Sequence, residues 1–180
     1  AVREQLKAGA DVIKLIATGG VMTPGVEPGA CQFIGDEMRA AIEEARRAGR
    51  RTAAHAQGSD GIAAAVEAGI TTIEHGIFLT EEIVARMKAR GTYLVATLNA
   101  PAAISAGGLA AGIPDYMVRK SDAVVPAHIA SFQLAKRLGV PIAAGSDAGT
   151  PLNRHGDYAA ELELMVKHGM SPLEAIRAAT

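Results

Sequence analysis

Four residues in this sequence combine a reactive side chain with a telling position: Lys14 in DVIKLIAT, His55 in RRTAAHA, His75 in ITTIEHG and Asp147 in AAGSDAGTP. In the first run, period-two alternation sends Lys14 to one face and Ile13 and Leu15 to the other. If the Ile13/Leu15 face packs on helices, Lys14 points to an enclosed side, where desolvation disfavours the ammonium form. A neutral amine there can be acylated, form a Schiff base, or take up carbon dioxide as a carbamate that binds metal. The competing reading is a lysine that reaches past the strand end or pairs with a carboxylate. His55 and His75 close the next two runs. By the same alternation Ala53 and His55 share a face, as do Ile73 and His75, while Glu74 faces away from His75 as a structural or supporting residue. A lone histidine is more often a hydrogen-bonded core residue than a ligand. Two at equivalent ends of consecutive runs, after a lysine in the run before, point together to a divalent metal such as Zn²⁺, which imidazole suits. Asp147 reads either as a turn or helix-capping residue among Gly145, Ser146 and Gly149, or as a carboxylate that ligates metal and shuttles a proton. A rival reading takes ATGG at 17–20 and GSDAGT as backbone cradles for phosphate.

These residues sit in a strand-then-helix rhythm. Short β-branched or apolar runs are expected as strands at 11–18, 50–56, 70–76, 92–98 and 140–145. Helices are expected at 34–49, with Asp36 as N-cap and Gly49 as C-cap, and at 59–69, 80–91, 121–138 and 157–169. A last helix starts at Ser171 as N-cap, with Pro172 in its first turn. Residues 99–114 read as a long Gly/Ala/Pro-containing connection. Five strands, each followed by a helix, predict an α/β fold with a parallel sheet, either doubly wound or a (β/α)8 TIM barrel. Five units are three short of a closed barrel. The opening AVREQLKAGAD has no Met and reads as the end of a helix, and the tail SPLEAIRAAT stops inside a helical pattern. The expectation is a partial barrel: residues 1–180 as the C-terminal part of a catalytic barrel, truncated at both ends.

Composition narrows the partners. With 49% hydrophobic residues, 21% charged and a net charge of −1, nothing draws the chain to nucleic acid or an anionic membrane. Aromatics are 3% and Trp is absent, which removes stacking platforms for single strands. No run approaches the about 18 apolar residues of a membrane span. Cys31 is the single cysteine, so no internal disulfide can form. The localisation expected is cytoplasmic, with secretion or a periplasmic location left open.

Taken in order, GADVIKLIATGGV, AAHAQG, IEHG and GSDAGTP resemble the Lys, His, His and Asp segments of the amidohydrolase superfamily, in particular its imidazolonepropionase-like and Xaa-Pro dipeptidase (prolidase)-like members. The resemblance runs over essentially the whole chain. It implies a TIM barrel of the metal-dependent hydrolase type that cleaves C–N bonds of an amide, a dipeptide or a cyclic amide through metal-activated water. It further implies a carboxylated Lys14 bridging two divalent metals, taken as Zn²⁺, with His55 and His75 on the second metal and Asp147 on the first as acid and base. The family's His-x-His pair on the first barrel strand and its C-terminal β-rich segment are not in this sequence, so the piece is expected to be inactive alone. Ala96 stands where relatives carry a proline before the TL dipeptide.

Two other readings remain open. A Schiff-base aldolase or lyase barrel would use Lys14 as nucleophile but leaves the histidines and Asp147 without a common role. A degenerate barrel would bind metal or a small ligand without turnover. Specificity is expected from the loops at 20–33 and 99–120. Candidate substrate contacts are His155 on the rim, Tyr116, and Arg119 or Lys120, which could hold a substrate carboxylate or be plain solvated charges. His128 and His168 read as structural or exposed. The partner expected is a small-molecule amide or dipeptide, and self-association into a homo-oligomer is left open.

Overall fold

In the computed structural model, which describes residues 1–180, four of the five expected strand runs pair in one sheet. Strands β1 (Val12–Ile16), β2 (Arg51–Ala56), β3 (Thr72–His75) and β4 (Tyr93–Val95) form one parallel sheet in sequential order. Between them run helices α2 (Gly35–Arg47), α3 (Ser59–Ala68) and α4 (Glu81–Arg90), preceded by the short α1 (Val2–Lys7). One sheet face is packed. Ile13, Leu15, Ala54, Ala56, Ile73 and Leu94 meet Met38, Ile42, Ile62, Val66, Val84 and Met87 in a single apolar core. Burying such side chains contributes about 1.5–3 kcal/mol each for the larger ones. The other face is open: Val12 and Ile16, flanking Lys14, are 50% and 52% exposed. Helices on one face and an unfilled opposite face are what a segment of a (β/α) barrel looks like, with the open face as the barrel interior.

Local signals explain most boundaries. Gly69 and Gly91 end α3 and α4 in the left-handed conformation at φ 91° and 69°. The Thr80 hydroxyl accepts the Ile83 N–H at 3.3 Å to start α4. Helix α8 (Pro172–Ala178) has the expected Ser171 cap, closed reciprocally by Glu174. Asp36 is a correction: it lies inside the first turn of α2 and pairs with Arg39 at 2.8 Å. The cap position is Ile34, whose N–H is held by Glu37 at 3.0 Å.

Three further differences bear on the site. The expected connection 99–114 is largely helical, with α5 (Asn99–Gly107) and a 3₁₀ turn at Leu109–Ala111. It lacks a local cap; its opening N–H groups are satisfied by Glu161, more than sixty positions away, which no local pattern reveals. Helix α6 spans Asp115–Leu138, beginning before the expected 121 and continuing through Pro126. The fifth strand, 140–145, forms only one bridge, Leu94↔Ile142. Pro141 brings no N–H to a ladder, and the segment is held by Leu94 N–H to Pro141 O at 2.9 Å and Ala143 N–H to Leu94 O at 3.0 Å. Helix α7 (Ala159–Lys167) follows it. No helix is long and apolar enough to cross a membrane.

Candidate active site

At the C-terminal ends of the strands, a cavity of about 240 Å³ is lined by Lys14, His55, His75 and Asp147 together. The rest of its wall comes from Gly20–Thr23, Gln57, Ile77, Ala100, Pro101, Ile104 and Thr150. Both loops expected to set specificity therefore reach it, the second through α5. Lys14 and His55 get there by regular pleating. Lys14 pairs in register with Ala53, and His55 lies two residues on, so both point to the open face. Lys14 is exposed, so the desolvation anticipated for it is not provided by these residues.

His75 gets there differently. Its register partner is Ala56, which faces the helices, and Ile73 two residues earlier is fully buried in the core. Alternation alone would bury the imidazole among helices. The backbone instead turns left-handed at His75, φ 72°, and the ring comes to rest edge-on to His55 with centroids 4.5 Å apart. The expected shared face of Ile73 and His75 is thus wrong, and so is the expectation that Glu74 faces away from His75. Glu74 is in register with His55 and lies on the same open face, with its Oε2 buried and unpartnered. Burial pushes the Glu74 carboxyl up, while the Thr72 hydroxyl and the Lys14 charge work against this.

His75, Thr97 and Asp147 have φ of 72°, 54° and 53°, three of the four non-glycine residues with positive φ in the protein. Such conformations cost about 1–3 kcal/mol each and persist only where the surroundings impose them. The surroundings are visible. His75 Nδ1 lies 2.7 Å from Thr97 Oγ1. His128, buried on α6, reaches the carbonyls of His75 and Ala96 at 3.0 and 2.7 Å. Glu161 on α7 accepts the N–H groups of Leu98 and Asn99 at 2.9 and 2.8 Å. Asn99 bonds Asn153, which holds the carbonyls of Ser146 and Asp147 at 2.6 and 3.1 Å.

Electrostatically the site favours neutral imidazoles. Burial holds His55 below its usual range, with the Lys14 charge adding to this, and holds His75 well below it, with His55, His128 and Lys14 adding. His128 is pushed down to about 4 by burial. Neutral imidazole is the metal-binding form. His55 Nε2 is buried with no hydrogen-bond partner, and a Cβ on Gly20 would lie 2.9 Å from it. An unpaired buried nitrogen beside a second neutral imidazole fits a metal ligand pair. No three His, Cys, Asp or Glu side chains close on one point. The phosphate-cradle reading fares worse. The Gly19, Gly20 and Gly149 N–H groups are already engaged, by Ala30 O at 2.8 Å, the Thr23 hydroxyl at 3.3 Å and Asn153 O at 2.8 Å.

The remaining candidates do not line the cavity. His155 is exposed beside Gly149. Arg119 is 70% exposed and paired with Asp115 on its own helix. Tyr116 donates to Met22 O at 3.3 Å and Lys120 to Thr23 O at 2.9 Å, so both brace the 20–23 loop. Sequence reasoning passed over Gln57, Thr97, Asn153 and Glu161. Glu161 did leave a signal, an acidic residue four positions before the core residue Met165 on one helix.

A parallel β/α segment with a Lys–His–His–Asp cavity at its strand ends has the architecture of metal-dependent hydrolase barrels. The sequence model of the Amidohydrolase family matches residues 1–180, and the chain belongs to that family. It is 39% identical over 181 residues to ochratoxinase of Aspergillus niger, covering 100% of this chain and 37% of that protein. In structure it is similar to a Xaa-Pro dipeptidase with methionine bound in its active site, with TM-score 0.92, 36% identity, and coverage of 100% of this chain and 44% of the other. It is also similar to a prolidase complexed with N-methylphosphonate-L-proline, with TM-score 0.91, 34% identity, and coverage of 99% and 43%. The chain thus spans less than half the length of each of these proteins.

Proposed function

We propose that these residues form part of the active site of a metal-dependent hydrolase that cleaves a C–N bond of a small amide, dipeptide or cyclic amide. The observation that carries this reading is the buried, unpartnered His55 Nε2 beside the His75 ring, in one cavity with Lys14 and Asp147. His55 and His75 would hold a divalent ion, with Lys14 as its carbamate and Asp147 completing the ligands from this chain to a two-metal, zinc-type centre. When bound, the metal supplies Lewis-acid activation of water and of the scissile carbonyl.

The chain's own residues would divide the remaining work. Asp147 is exposed at the cavity mouth, where its carboxylate can take a proton from the attacking water and return it to the leaving nitrogen. Val21, Met22, Ile77, Ala100, Pro101 and Ile104 offer an apolar wall against which the substrate's hydrocarbon part packs. The similarity to ochratoxinase and to prolidases supports amide cleavage. The test is metal content and turnover of the intact protein with Ala at His55, His75 or Asp147. We expect metal loss in the histidine variants and lost turnover in all three; normal metal and turnover throughout would sink the reading. Lys14 carboxylation is checked by asking whether bicarbonate restores metal binding to decarboxylated protein. Borohydride trapping of a substrate adduct on Lys14 would instead favour Schiff-base chemistry.

A further inference from the structure

We propose that Thr97 is a positioning residue that fixes the tautomer of His75, keeping the proton on Nδ1 and leaving Nε2 unprotonated toward the cavity. The Thr97 hydroxyl has one hydrogen and two close neighbours, Ala96 O at 2.6 Å and His75 Nδ1 at 2.7 Å. If the hydroxyl donated to Nδ1, its lone pairs would face those of the Ala96 carbonyl at 2.6 Å, a repulsive contact. If it donates to Ala96 O, both contacts are satisfied, provided Nδ1 carries a hydrogen and donates to Oγ1. Only the second assignment leaves no pair of acceptors in contact. With the single ring proton on Nδ1, the other nitrogen presents its lone pair.

The geometry that enforces this is built from three sides. Thr97 is β-branched and left-handed, φ 54°, a conformation such residues rarely adopt. The carbonyl before it is bound by His128 Nε2, and the two N–H groups after it are bound by the Glu161 carboxylate. His128 also binds the His75 carbonyl, so one buried side chain spaces the backbones on which the ring and the hydroxyl stand. The Oγ1 position is therefore set by helices α6 and α7, and the tautomer follows from it.

The inference rests on the reading that His75 is a metal ligand, and its test separates the two. The intact protein is labelled with [¹⁵N]histidine and stripped of metal, and His75 is assigned by difference with His75→Gln. Long-range ¹H–¹⁵N spectra are expected to show His75 protonated on Nδ1 in the wild type and in Thr97→Ser, and a mixture or the Nε2–H form in Thr97→Val. Zinc affinity is expected to fall roughly 10–100-fold in Thr97→Val and to be retained in Thr97→Ser. An Nε2–H tautomer in the wild type, or an unchanged Nδ1–H pattern in Thr97→Val, overturns the proposal. The wild-type measurement decides the matter even if the valine variant does not fold. Undiminished zinc binding in His75→Ala would instead overturn the ligand reading and leave the tautomer result standing.

Discussion

On the β1–β2 side of the cavity, Lys14 and His55 project from regular extended strand positions, and the ladder continues past them, with Ala17 N–H on His55 O at 2.9 Å. On the β3–β4 side, His75 and Thr97, and Asp147 beyond them, all sit at left-handed φ, and each is pinned by side chains from distant helices or loops. The first side is placed by the pleat. The second is placed by a network, so its geometry is only as good as the hydrogen bonds that hold it. The core hydrophobic residues of β1 and β2 can enforce the first arrangement; the left-handed His75 is held by polar partners as well.

That contrast can be broken in several ways, of which the largest is removal of the proposed ligand from each side. His55→Ala and His75→Ala should each lower zinc affinity by more than the about 100-fold typical of losing a supporting partner, as isothermal titration would show. Next in size is Gly20→Ala. Its new Cβ would stand 2.9 Å from the His55 ring, so the imidazole must shift on the side where the pleat otherwise secures it. A loss of about tenfold in zinc affinity, within the range for a displaced ligand, is expected with little change in stability. An unchanged affinity would show that His55 has room to spare.

Glu161 probes the network side. Burial holds its carboxyl up at about 7 rather than the usual 4.5, against the pull of the Asn99 and Leu98 N–H groups. The folded protein thus keeps a proton that the unfolded chain releases between those values. The group's stabilisation is complete below 4.5 and is lost as pH rises through about 7. Glu161→Gln sets an amide NH₂ against one backbone N–H and should cost about 1–3 kcal/mol. The advantage of the wild type should be greatest near pH 5 and shrink toward pH 8 in thermal unfolding; a constant difference would contradict the assignment. The smallest effect is expected at Leu152, the fourth non-glycine residue at positive φ and away from the cavity lining. Leu152→Gly should relieve about 1 kcal/mol of backbone strain, partly offset by lost packing over Gly107, and leave metal affinity untouched.

The legible part of the fold was the part governed by local rules. Alternation at Ile13–Lys14–Leu15 correctly put lysine opposite the core, because an unbroken extended strand has no other option. Gly69, Gly91 and Ser171 marked helix ends, because caps act within a few residues. Alternation failed two strands later, on β3. His75 and Glu74 were given the wrong faces because a positive φ at a non-glycine residue has no local signature. Helix α5 was missed for a related reason, since its cap is a carboxylate on α7, and the 140–145 strand dwindled to one bridge where Pro141 breaks the donor row.

Residue types and their order were thus enough for a parallel β/α segment, which follows from short-range periodicity, and they singled out Lys14, His55, His75 and Asp147, which the fold brings to one cavity. Contacts across the fold decided how His75 turns inward, why Thr97 and Asp147 tolerate strained backbones, and which groups hold them. His128, Asn153 and Glu161 exert that control through space, from positions whose separation along the chain carries no trace of it.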